Sequence, residues 1–165
     1  YMPIAETVVK ENIFEAFYGA TNQLKHFRHV NTYGGHPVAT AVSLINIEIV
    51  KQENLHGNAA RMEVYLKEHL SELYNHPLIG EIRCKGLLLG MELVSDKEKK
   101  TPLDMSQANA IIQNCLNQGV LLMRNGNTVP VLGNILIMAP PLILQETEAD
   151  QIVDAVVNPL NQALN

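Results

Sequence analysis

Cysteine is scarce in this 165-residue chain. Cys84 and Cys115 are its only two, and they share no CxxC spacing. That excludes a disulfide framework and makes a thiolate metal site a poor expectation. Each cysteine reads as a packing residue, in a reducing, cytoplasmic setting. Positive charge is also short: 12 Lys and Arg stand against 17 Asp and Glu, for a formal charge of -5. The basic residues are scattered, so no nucleic-acid partner is expected. The longest apolar runs, such as residues 134–144, are too short to cross a bilayer and contain Pro140 and Pro141. Pro3 and Glu6 interrupt the stretch that a signal peptide would need. No GxGxxG, P-loop or HExxH pattern occurs. His26 and His29 have no acidic partner or third ligand nearby, so no metal site is expected. Ser43 and Ser71 lack a triad context, and His56, His69 and His76 are expected on the solvent side of a helix.

Hydrophobic residues nonetheless make up 47% of the chain, enough for a packed domain. Residues 4–9 carry β-branched side chains and predict an internal strand. Ile13, Phe14 and Phe17 predict a short helix within residues 10–18. Pro37 opens a helix running to about residue 51 whose apolar residues leave little polar face. Such a helix is expected to be buried between layers or in an interface. Residues 53–73 carry a 3-4 apolar stripe and end at His76-Pro77. Two short strands follow at 79–83 and 87–94, separated by Gly86. Asp96 to Lys100 reads as a solvated hairpin tip. A helix over 106–118 closes at Gly119, strands are predicted at 120–123 and 134–138, and a last helix covers 147–157. The chain begins at Tyr1 without an initiator methionine, which leads to the expectation that it is part of a longer protein. A boundary is placed near Asn54.

One segment carries chemistry. In Thr32-Tyr33-Gly34-Gly35-His36-Pro37 two glycines free the backbone for a close approach. A hydroxyl and the N–H groups of a helix N-terminus accompany them, a donor set that suits a phosphate. The same residues equally suit an ordinary helix-capping loop, and physics alone leaves both readings open.

This segment resembles the [T]-[FY]-[SG]-G-[HN]-P stretch of class III aminotransferases, which depend on pyridoxal 5'-phosphate. Five further stretches agree, in order. Tyr1-Met2-Pro3-Ile4 is similar to G-Y-x-P-[IL], and Ile13-Phe14-Glu15-Ala16-Phe17 to I-[FY]-x-A-F. His76 to Gly80, Ile82 to Leu87, and Gly90-Met91-Glu92-Leu93 resemble the H-P-L-[VI]-G…R-G-x-G-L and G-[IM]-E-L stretches. Ala139-Pro140-Pro141-Leu142-Ile143 resembles A-P-P-L-I.

The resemblance implies an α/β chain of the PLP-transferase fold type I. Residues 1–54 would end the large cofactor-binding domain, and 55–165 would form the small C-terminal domain. It implies a homodimer in which Thr32, with the backbone at Tyr33 and Gly34, binds the cofactor phosphate across the interface. The reaction implied moves an amino group from an amine or ω-amino acid to a keto acid such as pyruvate. The family's Schiff-base lysine would precede Tyr1, and none of Lys10, Lys25 and Lys51 occupies its motif position, so the chain alone is expected to be inactive. Ornithine- and 4-aminobutyrate-type members place a carboxylate-gripping arginine where Ile137 stands here. Arg124 is the candidate for that work instead, against the plainer reading of a solvated arginine at a strand end. The connection 125–133 leaves the register there open. An aminomutase, racemase, decarboxylase or diaminopelargonate-type aminotransferase would share these segments. A non-catalytic dimerisation module, with helix 37–51 as its adhesive surface, is the reading from another class.

Overall fold

The computed structural model describes residues 2–29, 31–125 and 133–164 and divides into two units, Tyr1–Glu53 and Asn54–Asn165. The fold is mixed α/β, as the sequence led us to expect.

In the first unit, α1 spans Glu11–Glu15 and a 3-10 turn spans Thr21–Gln23, before the long helix α2, Pro37–Gln52. The strand expected across residues 4–9 does not form. These residues belong to no helix or strand, and among the described residues no strand pairs with them. β-branching favours an extended backbone, but a strand also needs a ladder partner. Of the two placements expected for α2, burial between layers is not found within this chain: Ala39 is its only buried residue, while Val42, Leu44, Ile45, Ile47 and Ile49 are exposed. A helix that is apolar all round needs cover on every side, and the described residues of its own unit do not supply it.

The second unit is built from apolar stripes that meet. Helix α3 (Leu55–His69) brings Met62 and Leu66, and α4 (Met105–Asn117) brings Ala108, Ile111 and Cys115. Helix α5 (Glu146–Gln162) brings Ala149, Ala155, Val156 and Leu160. These repeats of three and four residues place each set on one helix face. They cover one face of an antiparallel sheet of order β1-β2-β5-β4, with β3 paired to β2. The strands are β1 (Ile79–Lys85), β2 (Leu88–Asp96), β3 (Thr101–Pro102), β4 (Met123–Arg124) and β5 (Ile135–Met138). Ile82, Leu89, Met91, Leu136 and Met138 point into the helices. On the opposite face Arg83, Gly90, Ile137 and Met123 stand in one cross-strand row.

Polar groups pin the layers. Glu63 of α3 accepts from Lys67 Nζ at 2.6 Å and from the Gly86 N–H at 2.6 Å, so the β1–β2 turn is tied to the helix. The Lys67 bond, then the Gly86 N–H, hold its carboxyl down at about 2. Tyr65 donates to Asp150 Oδ1 at 2.7 Å, which pushes the phenol up to about 12. Asn58 Nδ2 donates to the carbonyls of Leu142 and Leu144 at 2.7 and 3.1 Å. The charge run is a turn, as expected, in which Asp96 Oδ1 accepts the N–H groups of Glu98 and Lys99.

Strand β4 starts later than expected. Gly119, at φ +86°, donates to the Leu116 carbonyl and Val120 donates to that of Cys115, the paired closure of a Schellman motif. The Val120 N–H therefore serves the helix end rather than a ladder. His76 also departs from expectation: it is buried, not solvent-facing. No described helix is long and apolar enough to cross a membrane.

Candidate functional site

The turn before α2 is shaped by its two glycines in different ways. The Gly34 N–H donates to the Asn31 carbonyl at 2.9 Å. A Cβ on Gly34 would lie 3.2 Å from that carbonyl and 3.3 Å from the Ala5 carbonyl, so a side chain there would have to push these carbonyls back by a few tenths of an ångström. Gly35 has φ +74° with open space where a Cβ would be, so its requirement is conformational. His36 caps the helix: Nδ1 accepts the Ala39 N–H at 3.4 Å, and the His36 carbonyl accepts the Thr40 N–H and hydroxyl. Pro37 fills the first helical position, where a missing N–H costs nothing.

Among the described residues, the Thr32 hydroxyl takes no partner, nor do the N–H groups of Thr32, Tyr33, Gly35 and Val38. Thr32, Tyr33 and Gly34 are all exposed. The turn thus offers a hydroxyl and open backbone donors at the N-terminus of a sixteen-residue helix, whose dipole favours an anion. That donor set fits a phosphate. The capping role of His36 was not legible in the sequence, because histidine is not among the favoured capping residues.

Arg124, the fourth candidate, belongs to the second unit. It pairs with Leu136, so it lies on the helix-covered side of the sheet, at the edge strand. It is half-buried, and its Nη1 donates to the Gly133 carbonyl and lies 4.0 Å from Met105 Sδ. None of the ion pairs among the described residues involves it. Ile137 pairs with Met123 and Gly90 on the opposite face. The connection that leaves the register open lies largely outside the described residues, at 126–132. Among the described residues no cluster of three His, Cys, Asp or Glu could hold a metal ion. Cys115 is fully buried, and burial pushes its thiol up to about 11, the opposite of an activated nucleophile.

Comparison with known proteins gives one answer. Residues 2–160 match the family described as aminotransferase class-III. An uncharacterized aminotransferase of Bacillus subtilis is 40% identical over 156 residues, covering 94% of this chain and 34% of that protein. A taurine–pyruvate aminotransferase of Rhodobacter capsulatus is 37% identical, with coverages of 94% and 34%. A solved aminotransferase of Bacillus anthracis superposes with a TM-score of 0.83 at 40% identity, covering 93% of this chain and 34% of its own. The chain spans about a third of the length of the relatives it matches.

Proposed function

This chain belongs to the class III aminotransferases, and from that premise we propose that the whole protein moves an amino group from an amine or ω-amino acid to a keto acid such as pyruvate. What carries the reading is the likeness along nearly the whole chain to proteins of that activity, one of them acting on taurine and pyruvate. Pyridoxal 5'-phosphate, when bound, supplies the electron sink for such a reaction. The lysine that holds it is proposed to lie outside these 165 residues, so the chain alone does not turn over substrate.

The residues present divide the remaining work. Thr32 donates its hydroxyl to a phosphate oxygen of the cofactor held by the other subunit of a homodimer. The backbone at Tyr33 and Gly34 lines the same approach, and the dipole of α2 adds favourable potential for the dianion. Arg124 pairs with the carboxylate of the keto acid. Its fork carries five N–H donors, and the bond to Gly133 engages Nη1, which leaves donors for an anion.

Thr32→Ala in the whole protein is expected to weaken cofactor affinity about tenfold, the scale of one charge-assisted bond. Unchanged affinity removes Thr32 from the site. Amine–pyruvate assays on the whole protein, with a panel of amines, ω-amino acids and amino sulfonates, test the reaction itself. Isomerisation or decarboxylation without transfer to pyruvate would move the protein to another reaction of the family.

A further inference from the structure

His76 belongs to a motif that the proposed function leaves unused, and it is the buried histidine of this chain. It is 8% exposed, whereas His26, His29, His36, His56 and His69 are all exposed. It sits between the 3-10 turn Ser71–Asn75 and β1. Its N–H donates to the Leu73 carbonyl at 3.0 Å, and its carbonyl accepts the Ile79 N–H at 3.1 Å. Its ring Nδ1 accepts the Leu78 N–H at 3.2 Å. An accepting Nδ1 places the single proton of a neutral imidazole on Nε2. Nε2 is closed off from solvent and takes no hydrogen bond of normal geometry, and the side chain of Asn161, near the end of α5, is the nearby group that acts on the ring.

We propose that His76 is an acid-operated latch: neutral, it closes the 73–79 turn beneath the C-terminal end of α5, and protonation opens that turn. A second ring proton would go on Nδ1, directly against the Leu78 N–H, so that two donors face each other at 3.2 Å. The surroundings oppose that proton as well. Burial lowers the ring's affinity for it most, and the ammonium of Lys97 adds repulsion. Lys97 is held close because its Nζ donates to the Tyr74 carbonyl, two residues before the histidine. Asn161, the group α5 brings, is neutral and favours the charged ring, but it is outweighed. Among the described residues no carboxylate acts on the ring. The latch is flanked by core, with Leu73 and Ile79 on the turn and Leu160 on α5 all buried.

The sign follows from the folded ring binding its proton less readily than an unfolded histidine. The latch contributes its full stability above the ordinary histidine value of 6.5, and loses it as pH falls through the lower folded value. Imidazole 15N NMR on the 165-residue chain reads both the tautomer and the midpoint. The expected result is an Nε2–H tautomer at neutral pH and a midpoint below 6.5, with the amide signals of residues 160–163 shifting in the same titration. His76→Asn keeps an acceptor for the Leu78 N–H but cannot titrate. Between pH 7 and 5 the wild-type unfolding equilibrium should rise by up to about tenfold per pH unit more than that of the Asn variant. An Nδ1–H tautomer, a midpoint at 6.5 or above, or parallel pH dependence in the two proteins would overturn the latch. Should the Asn variant fail to fold, the tautomer and midpoint of the wild type decide alone.

Discussion

The two units use apolar residues in opposite ways. In the second, the apolar positions of α3, α4 and α5 recur at three and four residues, and each stripe finds another stripe or the inner face of the sheet. In the first, α2 carries apolar residues around its whole circumference, yet Ala39 is the sole buried hydrophobic residue described in that unit. Hydrophobic content therefore does not produce a core by itself. A stripe asks for one neighbour and leaves the rest of the helix soluble, whereas an all-round apolar helix demands a full set of neighbours.

The largest expected effect comes from separating the units. Residues 54–165 alone should unfold in one cooperative transition, and residues 1–53 alone should give the circular dichroism of a disordered chain. A cooperative melt of 1–53 would break the comparison, since so little buried apolar surface cannot offset backbone ordering. Point substitutions repeat the contrast on a smaller scale. Leu136→Ala removes a side chain that is 0% exposed and should cost about 2–5 kcal/mol in urea titrations. Ile45→Ala removes one that is 57% exposed and should change the same transition by no more than about 0.5 kcal/mol. Equal costs would mean that α2 is covered within this chain.

Acid sharpens the contrast, because the carboxylates held below their ordinary range, Glu63, Asp96 and Asp104, all lie in the second unit. Glu63 is held at about 2, so its contribution is complete above 4.5 and is lost as pH falls from there toward 2. Glu63→Gln should flatten that acid limb and free the β1–β2 turn, seen as faster amide exchange at Gly86. An unchanged acid limb would show that the Lys67 and Gly86 bonds do not matter to the fold.

Much of the second unit was legible in the sequence because its signals are local. The stripe of α4 and the glycine after it placed that helix to within a residue at each end. The two strands around Gly86 were legible from alternation and a turn residue. What escaped depended on partners distant in the chain. Residues 4–9 have strand composition but no ladder, and Val120 gives its N–H to the end of α4. His76 looked like a helix-end surface residue, because nothing local reveals that α5 closes over it. At the candidate site, the Thr32–Pro37 turn was legible as a donor-rich helix start, but part of the crowding at Gly34 comes from the Ala5 carbonyl, far away in sequence. Arg124 was legible as a strand-end arginine, while its hold on Gly133 was not.

The smallest test sets two glycines with the same backbone demand against each other. Gly119 has φ +86° at the end of α4, and Gly35 has φ +74° before α2. Neither alanine would clash: the nearest atom to a Cβ on Gly119 is Gln151 Nε2 at 3.7 Å, and Gly35 has nothing within 4 Å. The intrinsic penalty of a left-handed alanine is therefore alike at both, about 1 kcal/mol. Gly119→Ala charges that penalty to a helix whose end is closed onto the buried Cys115 and Val120, so the main unfolding transition should weaken by about that amount. Gly35→Ala strains a turn in a unit without a core, so the same transition should not move. If Gly35→Ala lowers it equally, the two units unfold together, and the missing cover of α2 is not what limits the first.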